Sequence, residues 1–139
     1  MRFVDTNVLL YAISVDPAEE EKRTLATELL RARDLALSAQ VLQEFYVQAT
    51  RSTRSDPLTH QQAAELVEAF GRFPVLPVTL ELVVAAMGSR ERFGLSYWDA
   101  AIIEAARALG CAEVLSEDLG AGQDYGGVVV RNPFGASRA

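Results

Sequence analysis

Four acidic residues, Asp5, Glu44, Asp99 and Asp118, stand near strand–helix junctions, and carboxylates gathered at such junctions can bind a hard divalent cation through oxygen. Asp5 closes the apolar run Phe3-Val4 and leads through Thr6-Asn7 into the helical run Val8-Leu9-Leu10-Tyr11-Ala12-Ile13. In an open α/β sheet, ligands bind beyond the carboxyl ends of the strands, so Asp5 occupies a functional place. Asp5, Thr6 and Asn7 are also good helix caps, which is a purely structural reading of the same residues. Glu44 lies inside the apolar helix V-L-Q-E-F-Y. An unpaired buried carboxylate is costly, so Glu44 points to water, pairs with an arginine such as Arg51, or shares a metal with other acids. Asp99 follows Ser96 at capping-box spacing and can equally reach back to the Ser96 amide. Asp118 follows the strand-like run Glu113-Val114-Leu115-Ser116.

The elements that must position these acids alternate between short apolar runs and helical periodicity. Over 16–33, Asp16 caps, Pro17 sits in the first turn, Glu19, Glu20 and Glu21 complement the dipole, and Leu25, Leu29 and Leu30 form the apolar stripe. Ala36-Leu37-Ser38 predicts a second strand, and Ser38 caps a helix with Val41, Leu42, Phe45, Tyr46 and Ala49 at helical spacing. After a polar loop at 52–59, Thr59 caps a further amphipathic helix. His60, the lone histidine, has no partners at zinc-site spacing and reads as a surface residue. Val75-Leu76-Pro77-Val78 fits a strand edge, because proline cannot donate to a sheet ladder. Thr79 starts a helix in which Leu82, Val83 and Met87 face the core, and Ser96 opens the next. A glycine-rich loop at 120–127 precedes the last strand, Val128-Val129-Val130.

This order predicts a single-domain α/β/α sandwich over residues 1–135, with a mostly parallel sheet of about five strands and a flexible tail at 136–139. In that layout all four acids fall on one rim of the sheet, forming a carboxylate pocket for Mg²⁺ or Mn²⁺. A chain of 139 residues, half of them hydrophobic, buries one core and leaves no room for two. Cys111 is the only cysteine, so no internal disulfide forms, and a reducing compartment is expected. No signal pattern opens the chain and no apolar run approaches the roughly 20 residues that cross a bilayer, so the expectation is a soluble cytoplasmic protein. A net charge of −6 argues against nucleic-acid binding through a broad basic face. It leaves a carboxylate-built nuclease open, since bound cations reverse the local sign.

The segments F-V-D-T-N-V-L-L-Y-A, V-L-Q-E-F-Y, L-S-Y-W-D-A-A-I-I-E-A-A, L-S-E-D-L and V-R-N-P-F, in that order along the chain, resemble the PIN-domain family, particularly the VapC-type toxins of bacterial toxin–antitoxin pairs. The resemblance implies a metal-dependent endoribonuclease that hydrolyses RNA phosphodiester bonds. In it Asp5, Glu44, Asp99 and Asp118 hold Mg²⁺ (or Mn²⁺), Thr6 or Ser116 assists by hydrogen bonding, and Asn7 holds the turn. Of the adjacent Glu117 and Asp118, the family's S-x-D pattern selects Asp118. No histidine stands as a general base, so the metal must lower the pKa of the attacking water.

The implied partners are RNA, a small antitoxin and a second copy of the chain. A helical hairpin over 39–73 supports the protein partners, because Phe45, Tyr46, Leu66 and Phe70 exceed what one small core readily hides; packing inside the monomer is the rival use. Arg51, Arg54, Arg90 and Arg92 are candidates to guide the RNA backbone, with solvated helix ends as the competing reading. Trp98 is expected to pack in the core, with base stacking as its alternative. Two other functions compete: a catalytically silent PIN-like module in an antitoxin or repressor complex, and a haloacid-dehalogenase-type phosphotransferase. The second would want an aspartate where Asn7 stands and a later lysine, whereas the sole lysine is Lys22.

Overall fold

A computed structural model of the chain describes residues 1–135; the tail expected at 136–139 lies outside them. In chain order the elements are β1 (Arg2–Val4), α1 (Thr6–Ala12), α2 (Glu20–Leu29), β2 (Leu35–Ser38), α3 (Ala39–Ala49), α4 (His60–Phe70), β3 (Val75–Leu76), α5 (Leu80–Phe93), α6 (Tyr97–Ala108), β4 (Glu113–Leu115), β5 (Asp124–Tyr125) and β6 (Val128–Arg131). A 3₁₀ turn, Pro17–Glu19, leads into α2, with Asp16 accepting a hydrogen bond from the Ala18 amide. One six-stranded sheet runs in the order β3-β2-β1-β4-β6-β5, parallel throughout except where β5 pairs antiparallel with β6.

Successive residues of the central strands, Phe3-Val4, Leu35-Ala36-Leu37 and Val114-Leu115, are all buried. Neighbours on a strand point to opposite faces, so both faces of the sheet are covered by helices, as an α/β/α arrangement requires. Register is fixed by Phe3 opposite Ala36 on one side and Val114 on the other. From β1 the chain builds outward to β2 and β3 on one side, then returns to lay β4 and β6 on the other. The carboxyl ends of β1 and β4 therefore flank the point where strand order reverses, the place where open α/β sheets form a crevice.

The sixth strand, β5, comes from the glycine-rich segment expected to be loop. Gly126 and Gly127 have φ of 65° and 100°, left-handed values that fold Tyr125 back onto Val128. The Arg107 guanidinium donates to the carbonyls of Tyr125 and Gly126 at 2.7 Å each, and Phe93 meets the Tyr125 ring edge-on at 5.3 Å.

Two expected core residues face solvent instead. Leu25 is 43% exposed and Met87 58% exposed. The inward positions of their helices belong to Ala26, and to Leu82, Ala86 and Ser89. Ala86 packs with Ala100 and Ala101, so small side chains fill the α5–α6 contact, and Met87, one residue on, falls off the inward face. Within the helical hairpin, Phe45 and Phe70 are buried and meet edge-to-face at 5.3 Å, which assigns those two aromatics to the monomer's own core. Tyr46 turns outward to hydrogen-bond the exposed His60 at Nδ1, and Cys111 is buried. Among the described residues no helix is long and apolar enough to cross a membrane.

Candidate active site

Asp5 leaves β1 in extended conformation and is the N-cap of α1, so the capping role read from its type is real. Its Oδ1 accepts from the Thr6 amide at 2.8 Å, while Oδ2 accepts from the Ser116 hydroxyl at 2.7 Å and the Asn7 amide at 3.4 Å. Capping uses only part of what the carboxylate can accept. Asp5 is 8% exposed, and burial pushes its pKa up to about 6. The Ser116 and Thr6 bonds oppose that rise, and the nearby Glu44 and Asp118 charges add to it.

Glu44 reaches the same place from α3, whose start is capped by Ser38 at the end of β2. Thr6 donates to its Oε1 at 2.8 Å and Gln40 to its Oε2 at 3.1 Å. Among the described residues no arginine pairs with it, which removes the arginine option for this helix-bound acid.

Asp99 lies in the first turn of α6, where its amide donates to the Ser96 hydroxyl at 3.1 Å. Among the described residues the reciprocal capping-box bond, from the Ser96 amide to the Asp99 carboxylate, does not form. At α4, by contrast, Thr59 and Gln62 make both bonds. The Asp99 carboxylate is therefore free of the backbone. Burial raises its pKa, the Ser96 hydroxyl opposes the rise, and the Asp118 and Glu44 charges add to it.

Beyond β4, the Ser116 hydroxyl accepts from the amides of Asp118 and Leu119 at 3.1 and 3.3 Å, tightening the turn that presents Asp118. Asn7 ties the two strand ends together. Its amide nitrogen donates to Ser116 at 3.1 Å and to Asp118 at 3.2 Å, and its oxygen accepts from the Glu117 amide at 3.1 Å. Glu117 turns the other way, accepting from Lys22 and the Tyr11 hydroxyl.

Asp5, Glu44, Asp99 and Asp118 line one cavity of about 140 Å³, together with Thr6, Asn7, Gln40, Gln48 and Trp98. That volume admits several waters or a hydrated cation. Among the described residues no Lys or Arg lines it, so there the carboxylates have neutral hydrogen-bond donors and no countercharge. Among the described residues no three acidic, histidine or cysteine side chains are close enough to clasp one ion as they stand; the four acids surround the cavity on separate supports. The donor set is all oxygen, which fits Mg²⁺ or Mn²⁺ and suits zinc poorly.

Of the four arginines considered, only Arg54 reaches the neighbourhood: it lines an adjoining cavity with Asn7, Leu10, Glu117 and Asp118. Arg51, Arg90 and Arg92 line neither cavity, and the Arg92 guanidinium sits 4.6 Å over Phe93. Trp98 departs from the expected core packing: it is 63% exposed at the mouth of the acidic cavity, since its position at the start of α6 faces outward. Sequence reasoning missed Gln40, which bridges Glu44 and the Trp98 carbonyl at 3.1 and 3.3 Å. Its signal was the i,i+4 spacing to Glu44.

An α/β sheet with a carboxylate-lined crevice at its point of strand reversal defines the structural class. Residues 2–122 match the PIN-domain family model, and the chain belongs to the PIN-domain family. Among solved structures, it is similar to a toxin–antitoxin complex from Klebsiella pneumoniae at 19% identity and a TM-score of 0.70, covering 96% of this chain and 98% of that one. It is also similar to Mycobacterium tuberculosis VapC20, described as a sarcin–ricin loop cleaving toxin, at 22% identity and a TM-score of 0.69, covering 95% of this chain and 100% of that one. FitAB bound to a DNA fragment aligns at 19% identity and a TM-score of 0.70, over 96% and 95% of the two chains. A search of curated proteins finds no match.

Proposed function

We propose that this PIN domain is a Mg²⁺- or Mn²⁺-dependent endoribonuclease, the toxin of a type II toxin–antitoxin pair. The observation that carries the reading is the set of four carboxylates, with no countercharge among the described residues, around one cavity where the strand order reverses. Asp5, Glu44, Asp99 and Asp118 would hold the metal. A divalent ion bound there supplies an activated water at neutral pH and charge stabilisation for the phosphate. Asn7, Ser116, Thr6 and Gln40 keep Asp5, Glu44 and Asp118 in place by neutral hydrogen bonds, so their position is fixed without cancelling the charge that would recruit the cation. The carboxylates would otherwise repel an RNA phosphate, which makes metal loading a condition for substrate approach.

The proposed setting is the cytoplasm, without membrane attachment, and the proposed protein partners are a small antitoxin and a second copy of the chain. The similarity to toxin–antitoxin complexes supports the first of these partners. Phe45 and Phe70 are committed to the core and Leu66 packs half-buried against it; a surface depression of the hairpin is lined by exposed Val47 and half-buried Leu42, Tyr46 and Val67. Light scattering showing a monomer at high concentration would remove the dimer.

The test of the activity is cleavage of an RNA pool by the purified protein with Mg²⁺, with Mn²⁺ and with chelator. Cleavage that requires either ion is expected. Chelator-resistant cutting, or intact RNA beside hydrolysis of a simple phosphate ester, overturns the proposal.

A further inference from the structure

Tryptophan is ordinarily buried, and a large aromatic left in water at the edge of a charged cavity needs a use. Trp98 is 63% exposed, and its indole N–H makes no hydrogen bond among the described residues. It is nonetheless held. Its ring stands edge-on to Tyr97 at 4.9 Å and 85°. A side chain pre-oriented in this way loses little freedom when a flat partner settles on it.

The cavity that Trp98 borders continues on its other side. Asn7, Leu10 and Asp118 line both the carboxylate cavity and the adjoining one, at which Arg54 stands. The Arg54 guanidinium makes no hydrogen bond or ion pair among the described residues, although Glu19, Glu117 and Asp118 line the same cavity. An aromatic surface, a band of carboxylates and a cation thus lie along one depression. With a net charge of −6, broad electrostatic attraction cannot hold a polyanion, so affinity must come from a few local contacts. Stacking is the contact that survives such a charge, because it uses the π-face present on every base.

We propose that Trp98 is the stacking platform for an unpaired nucleobase of an RNA strand whose backbone crosses the carboxylate cavity toward Arg54. The inference rests on the ribonuclease reading and sharpens it: the substrate is RNA with an unpaired base beside the scissile phosphate. A base held in a duplex cannot reach the indole face.

Trp98 is the only tryptophan in the chain, so its fluorescence reports on this one site. Mixed with Mg²⁺-loaded protein, a short oligoadenylate should quench it, whereas an abasic ribose-phosphate chain of equal length and a fully paired RNA should not. In cleavage of single-stranded RNA, Trp98→Ala should raise KM by about 5- to 100-fold with little change in kcat, and Trp98→Phe should recover most of the loss. Arg54→Ala should weaken binding evenly across sequences and lower the salt slope by about one, because it removes a phosphate contact. Equal quenching by the abasic chain, or an unchanged KM in Trp98→Ala, overturns the inference. Cleavage without quenching sinks the platform and leaves the ribonuclease; quenching without cleavage supports the platform and sinks the ribonuclease.

Discussion

Glu117 and Asp118 are adjacent in the chain and stand in opposite electrostatic situations. Glu117 meets Lys22 and the Tyr11 hydroxyl. Burial would raise its pKa, but the Lys22 and Tyr11 bonds and the Lys22 charge together hold it below the usual glutamate value. Asp118 turns into a cavity where Asp5, Glu44 and Asp99 have only neutral donors, and there burial and mutual repulsion raise Asp5 and Asp99. A charge paired within the fold is held by its partners, whereas a charge positioned but left uncancelled marks a candidate binding site. The two clusters share the turn that follows β4, so one short segment supplies both a paired anchor and a member of the carboxylate cavity.

The largest effect expected from this contrast is on activity. Asp99→Asn removes a carboxylate from the uncancelled set while leaving the Ser96 cap bond, which uses the residue-99 backbone amide. Cleavage should fall by more than the roughly 10- to 100-fold typical of losing an outer support of a metal ligand. Stability at pH 7 in metal-free buffer should stay level or rise. If Asp99 acts only on the helix dipole, the variant should instead lose about 0.3–1 kcal/mol and keep its activity. Cleavage rates and metal-free melts on the same preparation separate these outcomes.

The next effect is the pH dependence of stability. Asp5 holds its proton to about pH 6 in the folded protein, against 3.8 for an ordinary aspartate. Between those values the folded state binds more protons than the unfolded one, so stability falls as pH rises from about 4 to 6 and stays low above that. A displacement of roughly two pH units corresponds to about 3 kcal/mol. Divalent metal at about 100 times its Kd should return a similar amount, about 2.7 kcal/mol, at pH 7. Asp5→Asn should flatten the profile. Melting temperatures that are level from pH 4 to 7 and indifferent to Mg²⁺ would mean that the cavity acids are not thermodynamically strained.

The uncancelled cluster was partly legible in the sequence: Asp5 follows a strand end and Asp99 opens a helix, places that apolar periodicity locates, whereas mid-helix Glu44 stayed ambiguous and Asp118 was separated from Glu117 only by the family's S-x-D pattern. The cancelled cluster was not. Tyr11, Lys22 and Glu117 come from α1, α2 and the turn after β4, and no spacing rule links residues 95 positions apart. Gln40 was hidden for a milder reason: its helix was recognised, but a polar residue one turn before Glu44 reads as solvated until the Trp98 carbonyl is brought against it. The outward Met87 and Leu25 show the limit of periodicity, which finds a helix's stripe but not how closely its neighbour packs. β5 eluded the pattern because two residues cannot show alternation, and the Gly126-Gly127 pair that makes the turn also reads as plain loop.

The smallest effect tests the cancelled side of the comparison. Lys22→Met leaves Glu117 with the Tyr11 hydroxyl alone and makes it resemble the acids of the cavity. The lysine and glutamate side chains are 38% and 24% exposed, so solvent screens the pair and the loss at pH 7 should be only about 0.5–1 kcal/mol. Glu117 has a lowered pKa in the folded protein, so its stabilisation is present above the ordinary glutamate value of 4.5 and disappears as pH falls through the folded value. The variant's deficit in urea titrations should accordingly vanish in strong acid, opposite in sign to the Asp5 profile. Replacing both partners, Lys22→Met with Glu117→Gln, should recover most of the stability, because no lone charge remains. Cleavage by Lys22→Met should fall no more than about tenfold, since the Ser116 turn and the Asn7 amide still hold Asp118. Abolished cleavage with unchanged stability would overturn the division, because Lys22 and Glu117 would then belong to the reaction site rather than to its anchor.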